Sequence, residues 1–368
     1  MRIVQLIDSL ETGGAERMAV NYANALAKKY TFSGLIATRK EGLLLGQIDE
    51  QVSYLFLKKK KSIDLNAIFK LRKYLKKNKI DIIHAHSSSF FSAVLVKLTL
   101  PGVKIIWHDH YGISQDLTLR KNISLKLGSL FFKGIISVNT ALQNWAASYL
   151  FCSNIIYLPN FIEQSVHLNE KLALFGSEGK RIICVANLRP QKNHVLLLKT
   201  ASLIRDKFQD WSFHLFGKDF KDSYAEQLNE MVVELKLQDT VFFYGAVKNV
   251  GSALEQCDIA VLPSFSEGLP LAVLEYGLYK LHVVATNVGE ISKVITSEKE
   301  GKIIESNNSS QFIEAIQILI EQEELRKEMG LNLNKKILLD YSEETILKKY
   351  VFWLQSSPNF VLRKPIKK

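Results

Sequence analysis

Hydrophobic positions along this chain alternate between two spacings. Apolar runs at Arg2–Ile7, Phe32–Ala37, Ser53–Phe56, Asp81–His84, Lys104–Trp107 and Gly134–Val138 read as buried strands. Between them, Ala15–Lys28, Leu65–Lys77, Ser89–Leu98 and Thr140–Tyr149 show helical spacing. The first of these helices is entered from a Gly13-Gly14 turn, and in the second Leu65, Ile68, Phe69, Leu71 and Leu75 fall on or near one face. The pattern restarts in the second half. Arg181–Ala186, Ser212–Phe216, Val241–Tyr244, Ile259–Leu262 and His282–Ala285 read as strands, and His194–Phe208, Tyr224–Leu235, Ser252–Gln256, Leu271–Leu278 and Ser309–Glu321 as helices. Strand–helix alternation with short loops predicts two α/β domains, each with a mainly parallel, doubly wound sheet. The hinge is expected near Pro159–Ser177, where Asn160, Asn169 and Gly176 interrupt the periodicity. Open sheets bind ligands beyond the carboxyl ends of their strands. The expected active site is therefore a cleft between the two domains.

Composition agrees with this picture and removes alternatives. A length of 368 residues suits two domains, and 47% hydrophobic against 23% charged residues excludes a disordered or collagen-like chain. Cys152, Cys184 and Cys257 lie far apart with no CxxC spacing, which argues against a cysteine zinc site and a disulfide framework. The N-terminal apolar stretch is broken by Gln5 and ends at Asp8, too short for a signal peptide. The longest later stretches are cut by Lys97, Lys104 and Lys133. A cytoplasmic chain in a reducing compartment is expected. The net charge of +11 is unevenly placed: residues 1–160 carry +12 and residues 161–368 carry −1. Much of the excess lies in Lys58–Lys61 and in Lys70, Arg72, Lys73, Lys76, Lys77 and Lys79. Such a face suits a polyanion or an anionic membrane surface; a merely solvated helix face is the plainer alternative.

The most informative stretch is SFSEGLPLAVLEYG, Ser264 to Gly277. A strand runs through a turn holding Gly268 and Pro270 into a helix, whose first N–H groups and dipole form an anion site suited to a diphosphate. Glu267 in the loop and Glu275 two helical turns on can each accept two hydroxyl hydrogens, as vicinal diols of a ribose or hexose require. An acidic first turn beside an unrelated surface glutamate is the alternative.

As a whole, this segment resembles the E-G-[LF]-P-x-x-x-x-E signature of retaining glycosyltransferases of family 4, the group 1 glycosyl transferases, with Glu267, Gly268, Leu269, Pro270 and Glu275 in place. The resemblance implies the GT-B fold: two Rossmann-like parallel-sheet domains facing across a cleft. Residues 1–163 would form the acceptor-binding domain and 164–338 the nucleotide-sugar domain. A C-terminal helix at 339–357 would cross back to the first domain, before a poorly ordered basic tail at 358–368. It also implies that Glu267 faces the donor sugar, that Glu275 holds the ribose, and that Leu271 and Ala272 offer amides to phosphate. DSLETGGAERMAVNYANAL resembles the family's Gly-Gly loop, so Gly13 and Gly14 join the donor set; the absent G-x-G-x-x-G argues against NAD. ICVANLRPQKNH resembles the basic loop in which an Arg and a Lys clamp the diphosphate. Lys192 matches the Lys. The usual Arg position is Asn187, and Arg189 is the substitute. FFYGAVKNV resembles the segment whose backbone recognises the base, here Ala246 and Val247. At first-domain strand ends, His108 or His110 is implied near the donor sugar, without a choice between them. His86, Ser87 and Ser88 form a plausible acceptor wall, although histidines at strand ends are as often structural.

The implied reaction moves a sugar from a nucleotide-diphosphate sugar such as a UDP- or GDP-sugar to a hydroxyl of a glycan or lipid-linked glycan. Retention is implied by same-face substitution, with Lys192, Arg189 and the helix amides stabilising the leaving diphosphate. No metal and no other cofactor is expected. The basic first domain would dock on the anionic inner leaflet through Lys58–Lys61, Leu65–Lys79 and Leu117–Gly134. The alternatives are a nucleotide-sugar epimerase of the same fold, a basic nucleic-acid-binding protein, for which no recognisable module is present, and an inactive transferase-like partner, against which the Glu267/Glu275 pair argues.

Overall fold

A computed structural model describes residues 1–112, 117, 120, 122–163 and 172–360. The chain divides into two units, Met1–Asn160 with Glu343–Lys368, and Phe161–Ser342. This division sharpens the charge asymmetry: the first unit carries +16 and the second −5.

Every apolar run read as a strand forms one. The first unit holds β1 (Arg2–Ser9), β2 (Phe32–Lys40), β3 (Ser53–Phe56), β4 (Ile82–His86), β5 (Lys104–Asp109), β6 (Phe132–Ser137) and β7 (Ile155–Tyr157). They make one parallel sheet in the order β3-β2-β1-β4-β5-β6-β7. Its main helices are α1 (Gly14–Ala27), α2 (Leu65–Lys77), α3 (Phe90–Thr99), α4 (Ile123–Gly128) and α5 (Thr140–Tyr149). Asp64, Asn122 and Asn139 cap α2, α4 and α5 by accepting from backbone N–H groups three residues on.

The second unit holds β8 (Arg181–Val185), β9 (Ser212–Phe216), β10 (Val241–Gly245), β11 (Ile259–Leu262), β12 (His282–Thr286) and β13 (Lys302–Ile304). They form a second parallel sheet, β10-β9-β8-β11-β12-β13. Around it run α6 (His194–Lys207), α7 (Ser223–Glu234), α8 (Gly251–Leu254), α9 (Leu271–Leu278), α10 (Ile291–Val294), α11 (Ser309–Glu321) and α12 (Glu323–Asp340). In each sheet the order in which strands are added switches from one side of the first strand to the other, at β1/β4 and at β8/β11. That is where parallel sheets open a ligand crevice. Helices on both faces cover the strands, so β1, β4, β11 and β12 are largely buried.

The last helix, α13 (Glu343–Ser356), belongs to the first unit. Tyr350 is buried against Tyr22 and His84. Trp353 donates its indole N–H to Asn154 Oδ1 at 3.0 Å and fills the space over Gly134, where a Cβ would come within 2.5 Å of its ring. Phe360 is buried edge-on to Trp353. The tail is therefore packed through residue 360, contrary to the expectation of disorder from Pro358. Residues 361–368, residues 164–171 of the hinge expected near Pro159–Ser177, and Thr118, Leu119 and Lys121 of the expected membrane face lie outside the described residues.

Two further expectations change. In α2 the buried positions are Ala67, Leu71 and Leu75, whereas Leu65 and Phe69 face solvent. In Lys58–Lys61, Lys59 turns inward and its ammonium donates to Ser92 Oγ at 2.8 Å, so it is no part of a basic surface.

Candidate functional site

In the second unit, the loop between β11 and α9 is tied from several sides. Ser264 Oγ donates to Glu267 Oε1 at 2.7 Å, and Thr286 Oγ1 donates to the Ser264 carbonyl at 2.5 Å. The Phe265 amide donates to the Gln191 carbonyl at 2.8 Å, joining this loop to the one after β8. The Glu290 amide donates to the Gly268 carbonyl at 2.9 Å, beside Gly289, which has φ +60°. A side chain at Gly289 would overlap the Gly268 and Glu267 carbonyls, so the close approach requires glycine there. The result is an immobilised carboxylate: Glu267 is 5% exposed and pairs with Lys192 Nζ at 2.6 Å. The sequence motifs assign these two residues separately, and the fold brings them into one ion pair.

Helix α9 starts after Pro270 with no side-chain cap, so its first-turn N–H groups lack that local acceptor. Leu269 and Ala272 are buried, Leu271 is half-buried, and Glu275 lies half-buried one turn into the helix. Ala246 and Val247 follow the left-handed Gly245 at the end of β10 and are half-buried.

Arg189 stands apart. Its guanidinium is exposed and lies over the Phe220 ring at 4.6 Å, and among the described residues no ion pair joins it to Glu267. Asn187, at the position where the family has its Arg, accepts from the Lys218 amide at 2.8 Å and so fastens the loop. Cation–π stacking thus rests Arg189 on Phe220, while Lys192 is held in the ion pair with Glu267.

In the first unit, Gly13 precedes α1 without a side-chain cap, and its missing Cβ leaves room for the Glu16 carboxylate. Gly14 opens the helix in free space. Burial pushes the Glu16 carboxyl upward, against its hydrogen bonds to its own backbone and to Ser9, with Glu11 and Asp8 adding to the rise. At the end of β4, Ser87 has φ +49° and its carbonyl accepts from Trp107 Nε1 at 2.9 Å. Ser88 is exposed and donates to Asp8 Oδ2 at 2.6 Å.

The histidines form a feature that no single motif announced. His84 and His86 on β4, with His108 and His110 on and just after β5, lie on one face of the sheet. Their rings pack together, and Tyr22 contacts three of them. His84 Nε2 meets His108 Nδ1 at 3.1 Å, and His86 Nδ1 meets His110 Nε2 at 3.0 Å. Burial pushes all four imidazoles well below their usual range, so they are neutral at pH 7. His86 is fully buried, which corrects its assignment to the acceptor wall: it offers no surface to a ligand. The structure also separates His108 from His110. His108 is sealed within the sheet, whereas His110 is half-buried at the strand end. Nitrogens of His84, His86 and His108 lie within 4.8 Å of one another, close enough to serve one metal ion. The run His108-Asp109-His110 did not signal this group, because its members face each other across two strands. Asp109 itself turns away into a two-pronged ion pair with Arg120, at 2.6 and 2.8 Å.

Among the described residues, no helix is long and apolar enough to cross a membrane. The first unit nevertheless exposes large apolar side chains beside its lysines: Ile63, Leu65 and Phe69 around the start of α2, and Ile123, Leu127, Leu130 and Phe151 around α4. Lys126 lies over the Tyr149 and Phe151 rings.

Comparisons with known proteins bear on both units. Residues 12–166 match Glycosyltransferase Family 4, and residues 169–336 match Glycosyl transferases group 1. An uncharacterized glycosyltransferase of Haemophilus influenzae is 28% identical over 92% of this chain and 95% of its own length. The UDP-Gal:α-D-GlcNAc-diphosphoundecaprenol α-1,3-galactosyltransferase of Escherichia coli is 26% identical over 91% of each chain. The crystal structure of Anabaena HepE with UDP and glucose superposes with a TM-score of 0.80 at 17% identity, covering 97% of this chain and 100% of that one. With two parallel-sheet units, an intact E-G-L-P loop and matches running from residue 12 to residue 336, this chain belongs to glycosyltransferase family 4 and has the GT-B fold.

Proposed function

We propose that this glycosyltransferase transfers a sugar from a UDP-sugar to a hydroxyl of a lipid-diphosphate-linked glycan, with retention and without a metal. The observation that carries the reading is the Lys192–Glu267 pair, held at 2.6 Å beside the uncapped start of α9. The diphosphate lies against the α9 N-terminus, where Leu271 and Ala272 offer amides, and Lys192 turns from Glu267 to the phosphate as negative charge develops there. Released from that lysine, Glu267 receives the sugar hydroxyls. Glu275 holds the ribose, and the backbone at Ala246 and Val247 faces the base. The leaving phosphate takes the proton of the incoming hydroxyl, so the new bond forms on the face from which the old one departs. HepE with bound UDP and glucose and the Escherichia coli galactosyltransferase acting on a diphosphoundecaprenol-linked sugar support this donor and acceptor class.

The acceptor belongs to the basic first unit, where Ser87 and Ser88 stand at a strand end. Apolar side chains at Ile63, Leu65, Phe69, Ile123 and Leu127, flanked by lysines, suit an anionic bilayer surface, with apolar groups inserting and ammonium groups meeting headgroups. The decisive experiment is calorimetric titration with UDP, GDP and ADP, repeated on Glu275→Ala. UDP is expected to bind, and the variant to bind about tenfold more weakly, the loss of a charged hydrogen bond. Absence of binding by all three nucleotides, with and without a lipid-linked acceptor, would sink the proposal. Flotation with anionic liposomes tests the membrane surface separately: binding is expected to fall with salt and with Phe69→Ser, and binding that ignores both removes it.

A further inference from the structure

The four histidines make two hydrogen-bonded chains with different ends. In one, the Tyr350 hydroxyl lies 3.3 Å from His84 Nδ1 and His84 Nε2 lies 3.1 Å from His108 Nδ1. That chain stops at His108 Nε2, a buried nitrogen with no partner among the described residues. The other begins at Gln5, which is fully buried in β1. Gln5 Oε1 lies 2.9 Å from His86 Nε2, and His86 Nδ1 lies 3.0 Å from His110 Nε2. Only this second chain ends at a ring with surface, since His110 is half-buried beyond the strand.

We propose that Gln5 and His86 are positioning residues that hold His110 in the tautomer protonated at Nε2, leaving its Nδ1 as an acceptor for a substrate hydroxyl. A carbonyl oxygen can only accept, so His86 donates from Nε2. A singly protonated ring then has a lone pair at Nδ1, and His110 must donate to it from Nε2. Its own single proton spent, His110 presents a lone pair at Nδ1. The hydrogen bond at one ring nitrogen thereby sets the chemistry of the other, transmitted through two rings. Burial disfavours a second proton on either ring, which keeps the transmission unambiguous. The reversed Gln5 amide would reverse every donor along the chain, so the site of the proton on His110 reads out the whole arrangement. The same group of rings is close enough to hold a metal ion, but the hydrogen bonds at 2.9–3.1 Å already occupy both nitrogens of His86 and one nitrogen each of His84 and His108.

Long-range proton–nitrogen correlation spectra of protein labelled with nitrogen-15 histidine show which nitrogen of each ring is protonated. The expected wild-type result is an Nε2 proton on both His86 and His110. Gln5→Met removes the acceptor and is expected to give mixed tautomers at His110. A wild-type His110 protonated at Nδ1, an unaltered His110 in Gln5→Met, or displacement of the His86 signals by added zinc chloride overturns the proposal. The wild-type spectrum decides the matter even where Gln5→Met does not fold. The functional half rests on the transferase reading: Gln5→Met should lower kcat about tenfold while the donor KM holds. A shifted tautomer with unchanged kcat would refute that half alone, and the spectra need no substrate, so they stand whatever the activity proves to be.

Discussion

Replacing Lys192 by Met keeps most of the side-chain stem and deletes one charge 2.6 Å from Glu267 Oε1. At an effective dielectric of about 20, unit charges at that separation attract by roughly 6 kcal/mol. Desolvation opposes much of this, and breaking a well-buried pair typically costs about 3–5 kcal/mol. The Lys192 side chain keeps 21% of its surface, which lets water screen the pair, so about 2–3 kcal/mol is the expected destabilisation. For a unit of this size that is roughly 5–10 °C in thermal midpoint. Glu267→Gln should cost less, because Lys192 can turn to solvent while the new side-chain amide can still accept from Ser264 through its oxygen. The double variant leaves no stranded carboxylate and is expected to regain about 1–2 kcal/mol over the sum of the singles. Nucleotide affinity behaves differently if Lys192 serves the diphosphate: Lys192→Met and the double variant should both bind UDP at least about tenfold more weakly. The assays are urea unfolding for stability and calorimetry for UDP. Additive stabilities would refute the pairing, and UDP affinity restored in the double variant would refute the transfer of Lys192 from carboxylate to phosphate.

Other outcomes follow from the same geometry. Gly289→Ala places a Cβ on the Gly268 and Glu267 carbonyls at a positive φ, so a loss of about 2–4 kcal/mol is expected, with weakened UDP binding although no other side chain of the site has changed; wild-type affinity would count against a rigid loop. Trp353→Ala removes a buried indole and its bond to Asn154, costing about 3–5 kcal/mol, and limited proteolysis should then cut near residue 343; equal resistance in both proteins would deny that the helix is held this way. The histidine cluster makes stability depend on pH. Its folded-state pKa values lie below the unfolded value of about 6.5, so the unfolded chain takes up protons first. Stability is complete above that pH and declines as pH falls, by up to about 1.4 kcal/mol per pH unit for each ring. A urea midpoint unchanged between about pH 7.5 and 5.5, the window spanning the unfolded value, would contradict the burial of neutral rings.

The strands were legible because a strand buried on both faces is a short, largely apolar run, as in IAVL, and even IIHAH is apolar at three of its five positions. Helix α12 was not legible. Its buried side includes Arg326, Gly330 and Asn334 beside Met329, Leu333 and Ile337, so packing against the end of α9 is polar as much as apolar and the spacing is disguised. Strands β7 and β13 escape because three half-buried residues at a sheet edge leave almost no pattern. At the site, the E-G-L-P loop was readable because its residues are contiguous. The histidine cluster was not, because Gln5, His84, His86, His108 and Tyr350 meet only through strand register and the return of the last helix. Leu65 and Phe69 show the limit of periodicity. Spacing groups apolar residues on a face without telling whether that face meets protein or surroundings.

The return of α13 to the first unit has a consequence for biosynthesis. The ribosome delivers Met1–Asn160 first, yet the sheet face carrying His84, covered early only by α1 through Tyr22, lacks the rest of its cover until Tyr350 and Trp353 emerge, after all of Phe161–Ser342 has been made. At roughly 5–20 residues per second that delay is about 10–40 s. The second unit can complete its core during translation, whereas the first begun is the last closed. A chain cut short before residue 343 would therefore be damaged at its N-terminal half, and nascent chains should carry a half-covered, histidine-lined face for chaperones to occupy until Tyr350 arrives.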